Sequence, residues 1–120
     1  MADDLPQLRF PHTEHAGGYH QITAMDGKYE VAWLRWKNDD ASEYHEAGEI
    51  TALGVAAVYQ HRGVAIRMYR EALTYSPVLH SQSRTPDGDG FAAKAGGPAM
   101  PLRPEGLMAP MDPPPVRYVG

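Results

Sequence analysis

The runs Tyr19 to Met25 and Tyr29 to Trp36 are strand-like, and the dipeptide Asp26-Gly27 between them tolerates the positive φ of a tight turn, so the pattern predicts a β-hairpin. Side chains alternate faces along a strand, which puts Trp33 and Trp36 on opposite sides, one for a core and the other for an exposed face or an interface. Glu49 to Val55 carries Ile50, Ala52, Leu53 and Val55 as a mostly buried strand does, with Gly54 as a bulge or close-approach position. Gly63 to Ser76 reads as a helix. Ile66, Tyr69 and Leu73 recur at helical spacing, Ala65, Met68 and Ala72 broaden the stripe, Arg67, Arg70 and Glu71 face water, and Pro77 ends it.

Val78 to Ser81 predicts a short parallel strand, and a second helix follows, with Thr85 suited to the N-cap, Pro86 to the first helical position and Gly96 to the stop after Phe91 to Ala95. The chain divides into a core over 1–97 and a tail over 98–120 that holds seven of its 11 prolines. The tail also carries Leu102, Leu107, Met108, Met111, Val116, Tyr118 and Val119, too many apolar groups for a solvated linker. An extended strap follows, with Val116 to Val119 as an edge strand.

Composition narrows the classes. In 120 residues that are 42% hydrophobic there is room for one modest core. A formal charge of -4 argues against a nucleic-acid surface. The chain has no cysteine, which removes disulfides, thiolate chemistry and cysteine metal sites together. No apolar run is long enough to span a membrane and Met1-Ala2-Asp3-Asp4 is unlike a signal peptide, so no membrane role and a cytoplasmic location are expected. His12, His15 and His20 lie close in sequence but lack a regular ligand spacing, and read as surface histidines rather than a metal site.

The candidate chemistry lies in Gln60-His61-Arg62-Gly63-Val64-Ala65, between the apolar strand and the helix. A strand, a tight glycine turn and a helix start leave several N–H groups aimed at one spot at the positive end of the helix dipole, which suits a phosphate; Arg62, Arg67 and Arg70 gather around it. The form Gln60-x-x-Gly63-x-Ala65 resembles the pyrophosphate loop of the GNAT superfamily, the acyl-CoA-dependent N-acetyltransferases. The order strand, strand, strand, helix, strand, helix, Gly96-Gly97 resembles the core of that family over Tyr19 to Gly97.

The resemblance implies an α/β (α+β) fold with a mixed, mostly antiparallel sheet, a central splayed strand pair and helices packed on it, with Leu8-Arg9-Phe10 as a compressed first strand. It implies acetyl-CoA as co-substrate and an amine acceptor, small molecule or protein. Leu53 and Val55 would contact the pantetheine arm through their backbones, while Gln60, His61, Arg62, Gly63, Val64 and Ala65 would cradle the pyrophosphate and Ser81 would touch the cofactor or orient a water. Glu49 falls where histone-type members place a catalytic glutamate, immediately before an isoleucine, with His45 and Glu46 as alternatives acting through water.

Two departures qualify the pattern. Ala92, beside Phe91, stands where many members carry a tyrosine acid, which leaves Ser81, Ser83, Tyr59, Tyr69 and Tyr75 as candidates for that role, and Ala57 replaces a usual proline. The two helices that normally wall the acceptor pocket have no room before Tyr19. Either the pocket is open and accepts something large, or a second copy completes it as a homodimer. An N-acetyltransferase is one reading, and a non-catalytic GNAT-like module acting through a protein partner is the other.

Overall fold

Backbone pairing begins where the apolar pattern gives no sign of it. The computed structural model describes residues 7–38, 46–81, 84, 86–99 and 112–120, with 86 and 87 as backbone only. Strand β1 (His12–His15) pairs antiparallel with β2 (Tyr19–Asp26), from His12 opposite Ile22 to His15 opposite Tyr19. The expected strand at Leu8-Arg9-Phe10 shrinks to one bridge, in which Arg9 and Met25 exchange backbone hydrogen bonds of 2.9 and 2.8 Å. Pro11 has no N–H to donate and accepts only from Thr23, at 3.1 Å, so the ladder breaks there and resumes at His12. The starting segment Met1-Ala2-Asp3-Asp4, the residues His45, Ser83 and Thr85, and the tail residues Leu102, Leu107, Met108 and Met111 lie outside the described residues.

The hairpin forms with its turn one residue later than expected. Asp26 pairs with Tyr29 at the start of β3 (Tyr29–Lys37), so the loop is Gly27-Lys28. Gly27 has φ 61 and Lys28 does not share a positive φ, which is the type II′ arrangement with glycine first. On the far edge of β3 lie β4 (Ile50–Val55) and, beyond its end, the two-residue β5 (Arg117–Tyr118), which pairs with Glu30 and Tyr29 inside the expected Val116 to Val119. The result is a five-stranded antiparallel sheet in the order β1-β2-β3-β4, with β5 on β3 and two helices, an α+β fold.

Helix α1 (Val64–Leu73) covers one sheet face, but its buried stripe is rotated from the expected one: Val64, Met68, Tyr69 and Ala72 are buried while Leu73 is 45% exposed. Val64 seals the start of the helix against the sheet, and Leu73 lies at its outer end, where the chain turns away at Thr74. Ile22, Ala24, Leu34, Trp36 and Ile50 supply the sheet side of the core, and Leu8 and Val78 close its margins. Trp36 is fully buried and donates its indole N–H to Ser76 Oγ at 2.8 Å. Trp33 lies on the other face, across Gly54, where an added Cβ would stand 2.7 Å from the ring. Gly54 is therefore a close-approach position, and the bulge lies elsewhere.

Val78 to Ser81 is not a continuous strand. Leu79 makes one parallel bridge to Glu49 and His80 one to Ala99. Helix α2 (Pro86–Ala95) starts at Pro86 as expected, and Gly96, at φ 70, takes the left-handed stop. Among the described residues, no helix is long and apolar enough to cross a membrane.

His12 and His20 pack into the fold, while His15 is exposed. His12 and His20 share a hydrogen bond of 2.8 Å between Nε2 and Nδ1, His12 stacks on Tyr75 at 4.0 Å, and His20 stacks on Trp36 at 5.1 Å. Burial, then the neighbouring His20, pushes the pKa of His12 down from 6.5, with Glu14 opposing. A lowered histidine pKa means that the fold favours the neutral ring, so its contribution is present above pH 6.5 and is lost as pH falls through the folded value. His12→Gln is expected to flatten the decline in urea midpoint below pH 6.5; an equally steep decline in the variant rejects this assignment.

Candidate functional site

The bulge in β4 determines what its free edge presents. Arg35 pairs with Ala52 and Trp36 with Ile50, leaving Thr51 as the extra residue. Before it, Lys37 donates to the carbonyl of Glu49 (2.9 Å), and Ile50 points its N–H the other way, to the carbonyl of Leu79 (2.8 Å). After it, Ala56 donates to Val31 (2.8 Å), so by the antiparallel alternation Ala52, Gly54 and Ala56 bond to β3 while Leu53 and Val55 turn their N–H and C=O groups outward. Without Thr51 the outward pair would be Ala52 and Gly54. Among the described residues, no strand accompanies that edge beyond the Glu49–Leu79 bridge.

The edge runs into a bend. A 3₁₀ turn over Ala57–Tyr59 follows β4, and Gln60 reaches back so that its side-chain amide donates to the carbonyl of Val55 at 3.0 Å. The Tyr59 hydroxyl donates to Asp26, fastening the turn to the end of the hairpin; that bond, then burial, pushes the Tyr59 pKa up from 10.0. His61 (φ 58) and Gly63 (φ 84) are both left-handed, with Arg62 between them at negative φ. Backbone of alternating hand is the conformation that aims successive amides to one side, and here it falls at the N-terminus of α1, whose cap Gly63 supplies no side-chain hydrogen bond.

Val64 has its side chain buried in the core, while Ala65 is half-buried. Arg62 donates to the Val58 carbonyl at 3.2 Å and lies over the Tyr59 ring, and Arg67 lies over Phe10 at 4.9 Å. Arg70, expected beside the loop, is in the last turn of α1, about 9 Å along the axis from Val64.

Glu49 and Ser81 are brought together at the other end of the edge. Glu49 is 2% exposed and, by alternation, faces away from Ile50 and the α1 side. Its Oε1 accepts the Glu46 N–H at 2.9 Å and its Oε2 accepts the Ser81 hydroxyl at 2.8 Å. The segment that carries Ser81 is held by the bonds of Leu79 to Gly48 (2.7 Å) and Ile50 (2.8 Å). Glu46 itself is exposed and contributes its backbone.

The remaining phenols lie elsewhere. Tyr75 is stacked on His12, and Tyr69 is buried against His80 (5.0 Å) and Phe91 (5.9 Å), where burial pushes its pKa up from 10.0. The Nε2–H of His80 donates to the carbonyl of Gly96 at 2.8 Å, and its buried ring ties α1 to α2. Sequence reasoning missed Thr51 and the Tyr59–Asp26 contact. The one signal for Thr51 was a polar residue interrupting an apolar run. Among the described residues, no group of three or more His, Asp or Glu side chains could hold a metal ion. No family model, no curated protein and no solved structure matches the chain.

Proposed function

We propose that the protein is an acetyl-CoA-dependent N-acetyltransferase of the GNAT type. The observation that carries this reading is the Thr51 bulge, which turns the backbone of Leu53 and the N–H of Val55 onto an open edge, with the Val55 carbonyl held by Gln60, that leads to the bend of His61 to Gly63. Such an edge offers pairing to an extended amide-containing arm, and the bend at the helix start offers amides to a diphosphate. Acetyl-CoA joins these two chemistries in one molecule and supplies the activated acyl group. The residues fit it at one further point: a Cβ on Gly63 would meet nothing within 4 Å, so the mouth of the bend is open.

The chain's own task is then proton management. Ser81 donates to Glu49, and in the proposed step the hydroxyl passes that proton to the buried carboxylate as it takes one from the ammonium of the acceptor. The second reading, a binding module without transfer, is favoured by Ala92, which leaves α2 without a phenol.

Gly63→Val, a natural probe for a loop of negative φ, is unsuitable here because φ 84 would strain any side chain. Ala65→Glu separates binding from folding. Helix α1 has no acidic residue in its first turn, so a glutamate there supports the helix dipole while repelling a diphosphate. Calorimetry is expected to show acetyl-CoA binding to the parent and at least tenfold weaker binding to Ala65→Glu, with a urea midpoint that is equal or higher. Equal affinity in the two proteins removes the bend from the proposal. Thiol release with a panel of amines distinguishes transfer from binding alone.

A further inference from the structure

The sheet face opposite α1 carries no helix among the described residues, and its chemistry bears on the acceptor. Two adjoining depressions lie on it. A cavity of about 260 Å³ is lined by Tyr19, Arg35, Thr51 and Ala52, and a groove of about 460 Å³ runs between Gln21, Trp33, Arg35 and the tail at Pro114, Pro115 and Arg117. Arg35 is the residue common to both.

Its guanidinium is held in place but not neutralised. Nε and Nη2 donate to the single oxygen Oε1 of Gln21, at 3.2 and 2.8 Å, and Gln21 is oriented in turn by donating to Thr23 Oγ1 at 2.9 Å. The nearby carboxylate in the groove, Glu30, is paired with Arg117 at 3.4 Å. Among the described residues Arg35 has no acidic partner, so it is a fixed cation whose side-on donors are taken by a neutral amide. The end-on pair, Nη1 and the second N–H of Nη2, is left for a bidentate anion, and a planar carboxylate matches that fork. Arg35 is also close to the proposed chemistry. It pairs with Ala52, next to Leu53, and Thr51 Oγ1 donates to its carbonyl at 3.4 Å, which places it one strand spacing, about 4.8 Å, inside the open edge.

We infer that Arg35 is the specificity-determining residue of the acceptor site and that the acceptor is a small amine bearing a carboxylate. The inference rests on the transferase reading above, because that reading makes the molecule in this depression an amine. With the carboxylate on Arg35, an amine separated from it by a few carbons reaches the edge of β4. Tyr19 on one side and Trp33 on the other wall the intervening carbons.

The test uses glycine, β-alanine and 4-aminobutyrate beside their carboxamides, with two readouts. Tryptophan fluorescence needs no acetyl transfer: Trp36 is fully buried, so ligand-dependent quenching reports Trp33. Thiol release from acetyl-CoA reports turnover. At least one carboxylate is expected to quench and to be acetylated with a KM tenfold or more below that of its carboxamide. Arg35→Gln is expected to erase the difference, and Arg35→Lys, which keeps charge without the fork, to retain part of it. Carboxamides that quench as well as carboxylates overturn the inference, as does a preference that persists in Arg35→Gln. Failure of the transferase reading shows differently, as absence of acetyl-CoA binding with the fluorescence preference intact.

Discussion

Gly48→Ala is expected to destabilise the fold by about 2–5 kcal/mol. Two costs combine. Gly48 has φ 79, a left-handed conformation that costs a residue with a Cβ about 1–2 kcal/mol. The added Cβ would also stand 2.9 Å from the carbonyl oxygen of Pro77, and overpacking against backbone that cannot swing aside adds about 1–3 kcal/mol. The surroundings resist relaxation because Gly48 donates to the carbonyls of Lys37 and Asn38 while accepting from Leu79 at 2.7 Å. Gly63→Ala is the matched control. It has nearly the same φ, 84, but open space at the Cβ, so only the conformational cost of about 1–2 kcal/mol applies. Urea titrations of the two variants should give unchanged slopes and a clearly larger midpoint shift for Gly48→Ala; equal shifts mean that the Pro77 contact is not tight.

The contrast between these two glycines also shows what a sequence can and cannot reveal. Of the two, Gly63 stands in a segment that reads as a tight turn. Only the fold brings Pro77, 29 positions further along, against one of them. The hairpin was legible because Ile22, Ala24, Leu34 and Trp36 bury themselves on one face, and α1 was legible because its apolar residues recur at helical spacing. Its buried face was less so: the expected stripe left out Val64, which is buried at the helix start, and included Leu73, which is 45% exposed at its end. Strand β1 has no apolar signature, since His12–His15 joins the sheet through backbone bonds and a hydrogen-bonded pair of imidazoles.

The site divides in the same way. Glycine and helix-start signals mark the bend at Gln60 to Ala65, a local feature. The phase of β4 is not local. A bulge is a property of two strands in register, and Thr51 becomes the extra residue only because Arg35 and Trp36 pair with Ala52 and Ile50. Sequence alternation alone therefore gives no reason to prefer Leu53 and Val55 over Ala52 and Gly54. The same holds for Arg35, which reads as an ordinary polar strand residue until Gln21 is seen to fix its guanidinium.

Glu49→Gln tests the proton relay with the least disturbance to the fold. The carboxylate accepts from two donors, the Glu46 N–H and the Ser81 hydroxyl. Glutamine keeps one oxygen for the fixed backbone N–H and presents its NH₂ to Ser81, whose hydroxyl rotates from donor to acceptor, so no buried group loses a partner. Stability is accordingly expected to stay within about 1 kcal/mol of the parent, and acetyl-CoA affinity to be unchanged, since the bend lies at the other end of β4. Turnover is another matter. An amide takes up no proton near neutral pH, and the lost general base should lower kcat by about 10²–10⁴-fold. A variant that folds, binds the thioester and turns over within tenfold of the parent rules out Glu49, and with it the relay through Ser81. Ser81→Ala then separates the two roles: it leaves the carboxylate in place but removes the hydroxyl that the proposed relay uses, so a loss of kcat without a change in acetyl-CoA affinity assigns the transfer step to that contact.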